Sequence, residues 1–336
     1  MTRIHFLNVK EGDCSIIEHD SGRISVIDVC CARNVLNEQG SEECLSENSN
    51  AGKGNFNQEA HPENPIDYLK GLGVKQIFRY IQTHPDMDHM DGIKDLFGEF
   101  EVLNFWDIEN DKKPNDFENR KYQKKDLDYY KKIRKSKENP KTLYYHSGDV
   151  NQYYKDDGIS IIAPSKELCD EALKSTDYND ASYVLLFKVG ERKVIFAGDS
   201  GKKTWDYILK EYKEETWDYT LEEYKSKVSE ISDIDLLIAP HHGRKSGGND
   251  SYLDVLKPKL TLFGNAPSEY LDYASGNNRK LCHITNNQAG SVVVEISSDS
   301  MKVYVSNETF AKKYRKKENI SPEKFAGKDY FHIANL

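Results

Sequence analysis

Gln82-Thr83-His84-Pro85-Asp86-Met87-Asp88-His89-Met90-Asp91-Gly92 is the stretch on which the reading of this chain turns. Before it runs Gly73-Val74-Lys75-Gln76-Ile77-Phe78-Arg79-Tyr80-Ile81, a short apolar-rich segment with the character of a strand. After it comes Ile93-Lys94-Asp95-Leu96-Phe97, the start of a helix. His84, Asp86, Asp88 and His89 therefore fall on a strand-to-helix loop. Four side chains able to ligate a metal lie within six residues. Imidazole nitrogen and carboxylate oxygen suit zinc, manganese or iron, and the loop has no thiolate to favour a softer ion. One histidine in an acidic loop would be incidental. Two histidines interleaved with aspartates at this spacing point to a metal site.

Two later stretches extend the pattern. One is Asn179-Asp180-Ala181-Ser182-Tyr183-Val184-Leu185-Leu186-Phe187, followed by Val194-Ile195-Phe196-Ala197-Gly198-Asp199. The other is Leu236-Leu237-Ile238-Ala239-Pro240-His241-His242-Gly243-Arg244-Lys245-Ser246. With these in order, Thr-His-x-Asp-x-Asp-His-x-x-Gly resembles the signature of the metallo-β-lactamase-fold hydrolases. More narrowly it resembles the hydrolase domain of the competence DNA-uptake proteins of the ComEC type. The resemblance covers residues 1–305, with insertions.

The resemblance implies an α/β fold: a four-layer αβ/βα metallo-β-lactamase sandwich with two mixed sheets and a metal site at one edge. It implies two divalent metal ions, zinc or manganese. His84 and Asp86 would serve one, Asp88, His89 and His241 the other, with Asp199 between them. The more widespread family pattern carries a further histidine ahead of the bridging aspartate, and Asn179-Asp180-Ala181-Ser182 stands there instead. That leaves the His84/Asp86 position poor in nitrogen and the weaker of the two, open to manganese or magnesium. The implied reaction is hydrolysis by a metal-activated hydroxide, most simply of a phosphodiester, as in a nuclease or phosphodiesterase. Asp88 would orient the hydroxide, with His242 and Lys245 as catalytic candidates. Ser182, Ser246 and, more weakly, Asn179 are candidates to hold a phosphate. The alternatives are an acyl or lactone hydrolase of the same fold, or a metal-binding regulatory module with little turnover. Read on their own, Asp199 also suits a helix N-cap, and the tandem His241-His242 also suits one ligand and one packing residue.

Composition narrows the rest. The chain has 336 residues, 31% of them charged, and net charge −9. Mean hydropathy is −0.77. No apolar run approaches the ~18 residues of a membrane helix, so no membrane partner is expected. Met1-Thr2-Arg3-Ile4-His5-Phe6 enters a strand at once, without a secretory leader, and a cytoplasmic location is expected. The six cysteines form no CxxC pair, which fits reduced thiols. Overall acidity argues against the whole surface as a nucleic-acid footprint.

The N-terminal meander places Asp13 and Asp28 in turns, as structural hydrogen-bonding residues rather than ligands. Residues 32–65 are Asn-, Ser-, Glu- and Gly-rich and read as a mobile insertion. His61, within it, and His146, on a later strand, are not expected to bind metal. Residues 107–141 read as a basic helical insertion. Its stretch 120–137 interleaves tyrosines with lysines and arginines. That is the composition of a contact for a nucleic acid or nucleotide substrate, and equally of a solvated, charge-laced helix. Thr204-Trp205-Asp206-Tyr207 nearly recurs as Thr216-Trp217-Asp218-Tyr219, a local duplication with a period of 12. Residues 306–336 read as a basic C-terminal extension.

Overall fold

The computed structural model describes residues 1–33, 55–113, 122–213, 227–245, 250–267 and 269–336. An antiparallel meander opens the chain: β1 (Thr2–Phe6), β2 (Ser15–Glu18) and β3 (Ile24–Ile27). Then β4 (Gln76–Ile81), β5 (Glu101–Asp107) and β6 (Lys141–Tyr144) add in parallel. A second sheet holds β7 (Ile159–Ala163), β8 (Val184–Val189), β9 (Arg192–Phe196), β10 (Leu236–Ile238), β11 (Leu260–Phe263) and β12 (His283–Thr285). The chain returns to the first sheet with β13 (Val292–Ile296), β14 (Met301–Val305), β15 (Pro322–Phe325) and β16 (Lys328–Asn335). The first sheet is ordered β15-β16-β14-β13-β1-β2-β3-β4-β5-β6, and the second β12-β11-β10-β9-β8-β7. Both are mixed.

Side-chain alternation shows how the sheets face each other. Leu185 and Phe187 of β8, Val194 and Phe196 of β9, and Leu236 and Ile238 of β10 enter one core with Ile4, Phe6, Ile17 and Ile81 of the first sheet. The residues between them, Val184, Leu186, Ile195 and Leu237, enter another with Trp205, Ile208 and Leu253. Strands covered on both faces need apolar residues at every position, which explains the unbroken runs at 183–187 and 236–239. On the far side of the first sheet, the helices Ile93–Glu99 and Lys124–Ile133 contribute Ile93, Leu96, Leu127, Tyr130 and Ile133 to a third core. The layers are therefore helix, sheet, sheet, helix: the four-layer α/β sandwich with two mixed sheets that the motifs implied.

The C-terminal stretch differs from its sequence reading. Residues 306–336 form a helix, Glu308–Arg315, and two strands that continue the first sheet, with Phe310, Phe325, Tyr330 and Phe331 buried. In the basic insertion, Tyr130 is buried against Asp107, and Tyr129 packs on Phe97. Lys125 pairs with Asp95, and Arg134 pairs with Asp107 at 2.5 Å. Its aromatic side is thus largely core, while Lys131, Lys132, Lys135 and Lys137 remain exposed. Of the 32–65 insertion, 34–54 lie outside the described residues; beyond them Phe56 packs edge-on against Phe310 at 5.4 Å. The second copy of the duplicated segment also lies outside the described residues. The first copy is the helix Lys202–Lys213, whose Trp205 and Ile208 face the core. No helix among the described residues is long and apolar enough to cross a membrane.

Candidate metal centre

Every residue of the centre sits on a loop leaving the end of a strand. The loop after β4 is tied by Gln82, whose side-chain amide donates to the carbonyls of His84 (2.8 Å) and His89 (3.0 Å). Behind it lies Gly12, at φ +67°. A Cβ there would stand 1.9 Å from the Asp88 carbonyl oxygen, so only glycine lets the first hairpin close on this loop. Asp199 follows β9 through Gly198. The turn Asn179–Ala181 braces that loop: Asp180 accepts from the Lys203 amide and its carbonyl accepts from Thr204. His241 and His242, after β10, both have left-handed backbone, φ +51° and +58°. Such a conformation costs a non-glycine residue roughly 1–2 kcal/mol. Strain of this kind persists where the surroundings over-determine it, often at a functional site.

The side chains gather in two groups around Asp199. In one, His84 Nε2 lies 3.8 Å from Asp199 Oδ2 and 3.9 Å from Asp86 Oδ2, and His241 Nε2 lies 3.7 Å from the same Asp199 Oδ2. In the other, His89 Nε2 lies 3.1 Å and His242 Nε2 3.5 Å from Asp199 Oδ1, with Asp88 Oδ2 3.7 Å from His242 Nε2. His84 Nε2, His89 Nε2, His242 Nε2 and Asp199 Oδ1 are buried without a hydrogen-bond partner. Buried polar atoms are rarely left so. Ligands of a four-coordinate ion at ~2.0–2.2 Å stand about 3.3–3.6 Å apart, close to the spacings here. Orphaned atoms, spacing and an N/O donor set together fit a pair of divalent metals.

The far nitrogens are held. His89 Nδ1 lies 2.7 Å from Asp28, His242 Nδ1 3.1 Å from Asp13, and His84 Nδ1 3.1 Å from the Thr83 hydroxyl. A carboxylate on Nδ1 keeps that nitrogen protonated and turns Nε2 outward as a ligand. Asp13 and Asp28 are thus the hydrogen-bonding residues that the sequence suggested, now with defined partners. In the metal-free protein, burial and the neighbouring His89 charge push His84 down. Burial opposes charging His89 and His242 too, yet the carboxylates around each ring together outweigh it: Asp199 and Asp28 for His89, and Asp199, Asp13 and Asp88 for His242. His89 rises well above its ordinary value and His242 to about 10. Burial also works against ionising Asp199 and Asp88, but the histidines beside them hold both carboxyls well below the usual range.

Five expected residues, His84, Asp86, Asp88, His89 and Asp199, converge. The tandem histidines divide differently from expectation. His242, read as catalytic, is the buried ring grouped with Asp88 and His89. His241, read as that group's ligand, is 27% exposed and stands on the His84 side. Successive left-handed residues, which the sequence does not announce, make this split. Lys245 is exposed and points to no metal ligand by any hydrogen bond or ion pair among the described residues. Ser182 is fully buried with its hydroxyl unpartnered; Asn179 lies on the bracing turn; Ser246 falls outside the described residues. His146 pairs with Glu109 at 3.0 Å, and His61 is exposed. Lys112, which no motif marked, salt-bridges Asp86 Oδ1 at 2.5 Å.

No family model matches the chain, and no curated protein matches it. Solved structures do. A diphosphatase from the PhnP family is 12% identical, with 88% of this chain and 98% of that one covered at a TM-score of 0.39. CmlA, a diiron β-hydroxylase from Streptomyces venezuelae, is 12% identical over 88% of this chain and 54% of its own, at 0.44. A metallo-β-lactamase from Cronobacter sakazakii with a HARLDQ motif is 10% identical over 71% of this chain and 74% of its own, at 0.32. At these scores, the functional reading stands on the site's own geometry.

Proposed function

We propose that this chain is a metal-dependent hydrolase acting on a phosphodiester. The observation that carries it is the cluster around Asp199, in which His84 Nε2, His89 Nε2, His242 Nε2 and Asp199 Oδ1 are buried and unpartnered, with Asp86, Asp88 and His241 at its more exposed edge. His84, Asp86 and His241 would hold one ion with Asp199 Oδ2; Asp88, His89 and His242 would hold the other with Asp199 Oδ1. Two divalent ions so held supply Lewis acidity and a hydroxide at neutral pH. The chain's own part is then positional. Asp88, a quarter exposed, would accept a hydrogen bond from the attacking water and orient it. Asp28 and Asp13 fix the two rings facing it. Lys112 neutralises the free oxygen of Asp86, which weakens that carboxylate as a ligand and supports the His84 side as the weaker position. Lys245, exposed on the same loop, and the free lysines of helix Lys124–Ile133 are the cations available to a nucleotide or nucleic-acid phosphate.

The test is metal content of protein purified without chelator, paired with turnover of bis-p-nitrophenyl phosphate and p-nitrophenyl acetate under added zinc or manganese. Phosphodiester turnover lost in Asp88→Ala supports the proposal. Turnover of the acetate alone transfers it to an acyl hydrolase. Metal bound with no turnover of either makes it a regulatory module.

A further inference from the structure

Buried polar atoms without partners collect in a second place. Trp205 Nε1, Arg244 Nε and His283 Nδ1 are all buried and unpartnered, and all three residues line one cavity of about 410 Å³. That size falls in the range of small-molecule sites, roughly 300–1,000 Å³. The cavity opens in the outer layer of the second sheet, beyond the ends of β10 and β11. Its wall includes Pro240 and Gly243, the two ends of the turn whose histidines reach Asp199. Cavity and metal centre thus lie on opposite sides of one turn.

The walls are flat and aromatic. Trp205 stacks on Tyr252 at 4.1 Å and 17°, and Phe263 stacks on His283 at 5.2 Å and 12°. Two of the three unpartnered atoms, the indole N–H and the guanidinium N–H, can only donate, and His283 Nδ1 donates or accepts with its tautomer, so an occupant must present at least two acceptors. Charge is biased too. Of the acids lining the cavity, Asp250 pairs with Arg279 and Asp272 accepts from Ser275, whereas Lys245 is exposed and Arg244 keeps an unused donor.

We infer that this cavity binds the heterocyclic base of a nucleotide. A nucleobase is flat, carries ring-nitrogen and carbonyl acceptors on its edge, and is joined to an anion that the Arg244–Lys245 side attracts. The inference deepens the phosphodiesterase reading by naming the substrate class, and rests on it for the role of the cavity, though not for binding itself. The probes are therefore uncharged nucleosides, adenosine, guanosine, cytidine and uridine, added to the full chain stripped of metal with EDTA. Binding is read by calorimetry and by tryptophan fluorescence, with ribose as the control. At least one nucleoside is expected to bind and ribose not. Arg244→Met, which keeps the stem but removes the donor, should weaken binding at least tenfold. Cys282→Trp, placed at an exposed position on the rim, should block it. Circular dichroism establishes that both variants fold. Absence of nucleoside binding up to millimolar concentration overturns the inference, as does binding that neither variant alters. If nucleosides bind but no phosphodiester is cleaved, the hydrolase reading fails and the cavity stands. If cleavage proceeds with an unchanged KM for a nucleotide substrate in both variants, the cavity reading fails and the hydrolase stands.

Discussion

Asp28→Asn exchanges one oxygen for an NH2, and its effect follows from four donors. Asp28 is 1% exposed. Oδ1 accepts from the Thr83 amide at 2.7 Å and the Gln82 side chain at 3.4 Å. Oδ2 accepts from the Thr83 hydroxyl at 2.5 Å and faces His89 Nδ1 at 2.7 Å. With the new NH2 at the Oδ1 position, it meets a backbone N–H that cannot turn away, leaving a buried donor unmet at about 1–3 kcal/mol. At the Oδ2 position it forces His89 into the tautomer with its proton on Nε2, the atom needed for the metal. The second orientation is the cheaper, so the loss appears in metal affinity: about 10–100-fold, or about 1.4–2.8 kcal/mol. Competition for zinc against a chromophoric chelator measures it, with near-UV circular dichroism as the check on fold. A folded Asp28→Asn protein that binds zinc within twofold of the parent would refute the account of how the second-ring contacts tune the site.

His242→Ala should abolish metal uptake at the Asp88/His89 side, while His241→Ala should weaken only the His84 side; elemental analysis after desalting separates them, and the reverse pattern would restore the sequence assignment. Metal binding should release protons near neutral pH. Burial disfavours a charged His242, but Asp199 and Asp13 raise its pKa to about 10. Its proton therefore stabilises the metal-free fold fully below about 6.5 and progressively less as pH rises toward 10. Calorimetry in buffers of different ionisation enthalpy would show no proton release if this is wrong. Acid lability should arise at His19, held down to about 4 by burial first and the Arg79 charge second. The unfolded chain takes that proton near 6.5 and the folded one only near 4, so up to about 3 kcal/mol is lost as pH falls between them. Denaturant titrations at pH 7 and 4.5 should lose that difference in His19→Asn.

The metal loop was legible because its donors are contiguous: a strand, six residues and a helix are a local pattern. The core strands were legible for a similar reason, since burial on two faces writes itself as an unbroken apolar run. What joins distant segments left no such mark. Asp13 and His242 meet across the two halves of the fold, and nothing near either residue names the other. The division of labour between His241 and His242 depends on two φ angles of a kind that neither side chain encodes. The C-terminal strands were obscured by composition: Lys328-Asp329 leads β16 and hides the buried Tyr330, Phe331 and Ile333 behind it. In the basic insertion, tyrosines suited to stacking on bases are equally suited to a core, and position alone decides between the two.

The place of β1 has a consequence for how the protein comes to be made. Its register pairs Thr2 with Ile296 and Phe6 with Val292. β1 thus leaves the ribosome well before β13, the strand that covers its far side, about 290 residues later. At roughly 5–20 residues per second the wait is on the order of 15–60 s. Throughout it, β1 presents an open edge of unpaired amides and carbonyls, a template for pairing with any other nascent strand. Contacts of such long sequence separation also slow closure once synthesis ends. Yield of native protein should therefore respond to slower synthesis, lower temperature and chaperone supply more than to any stabilisation of the finished fold.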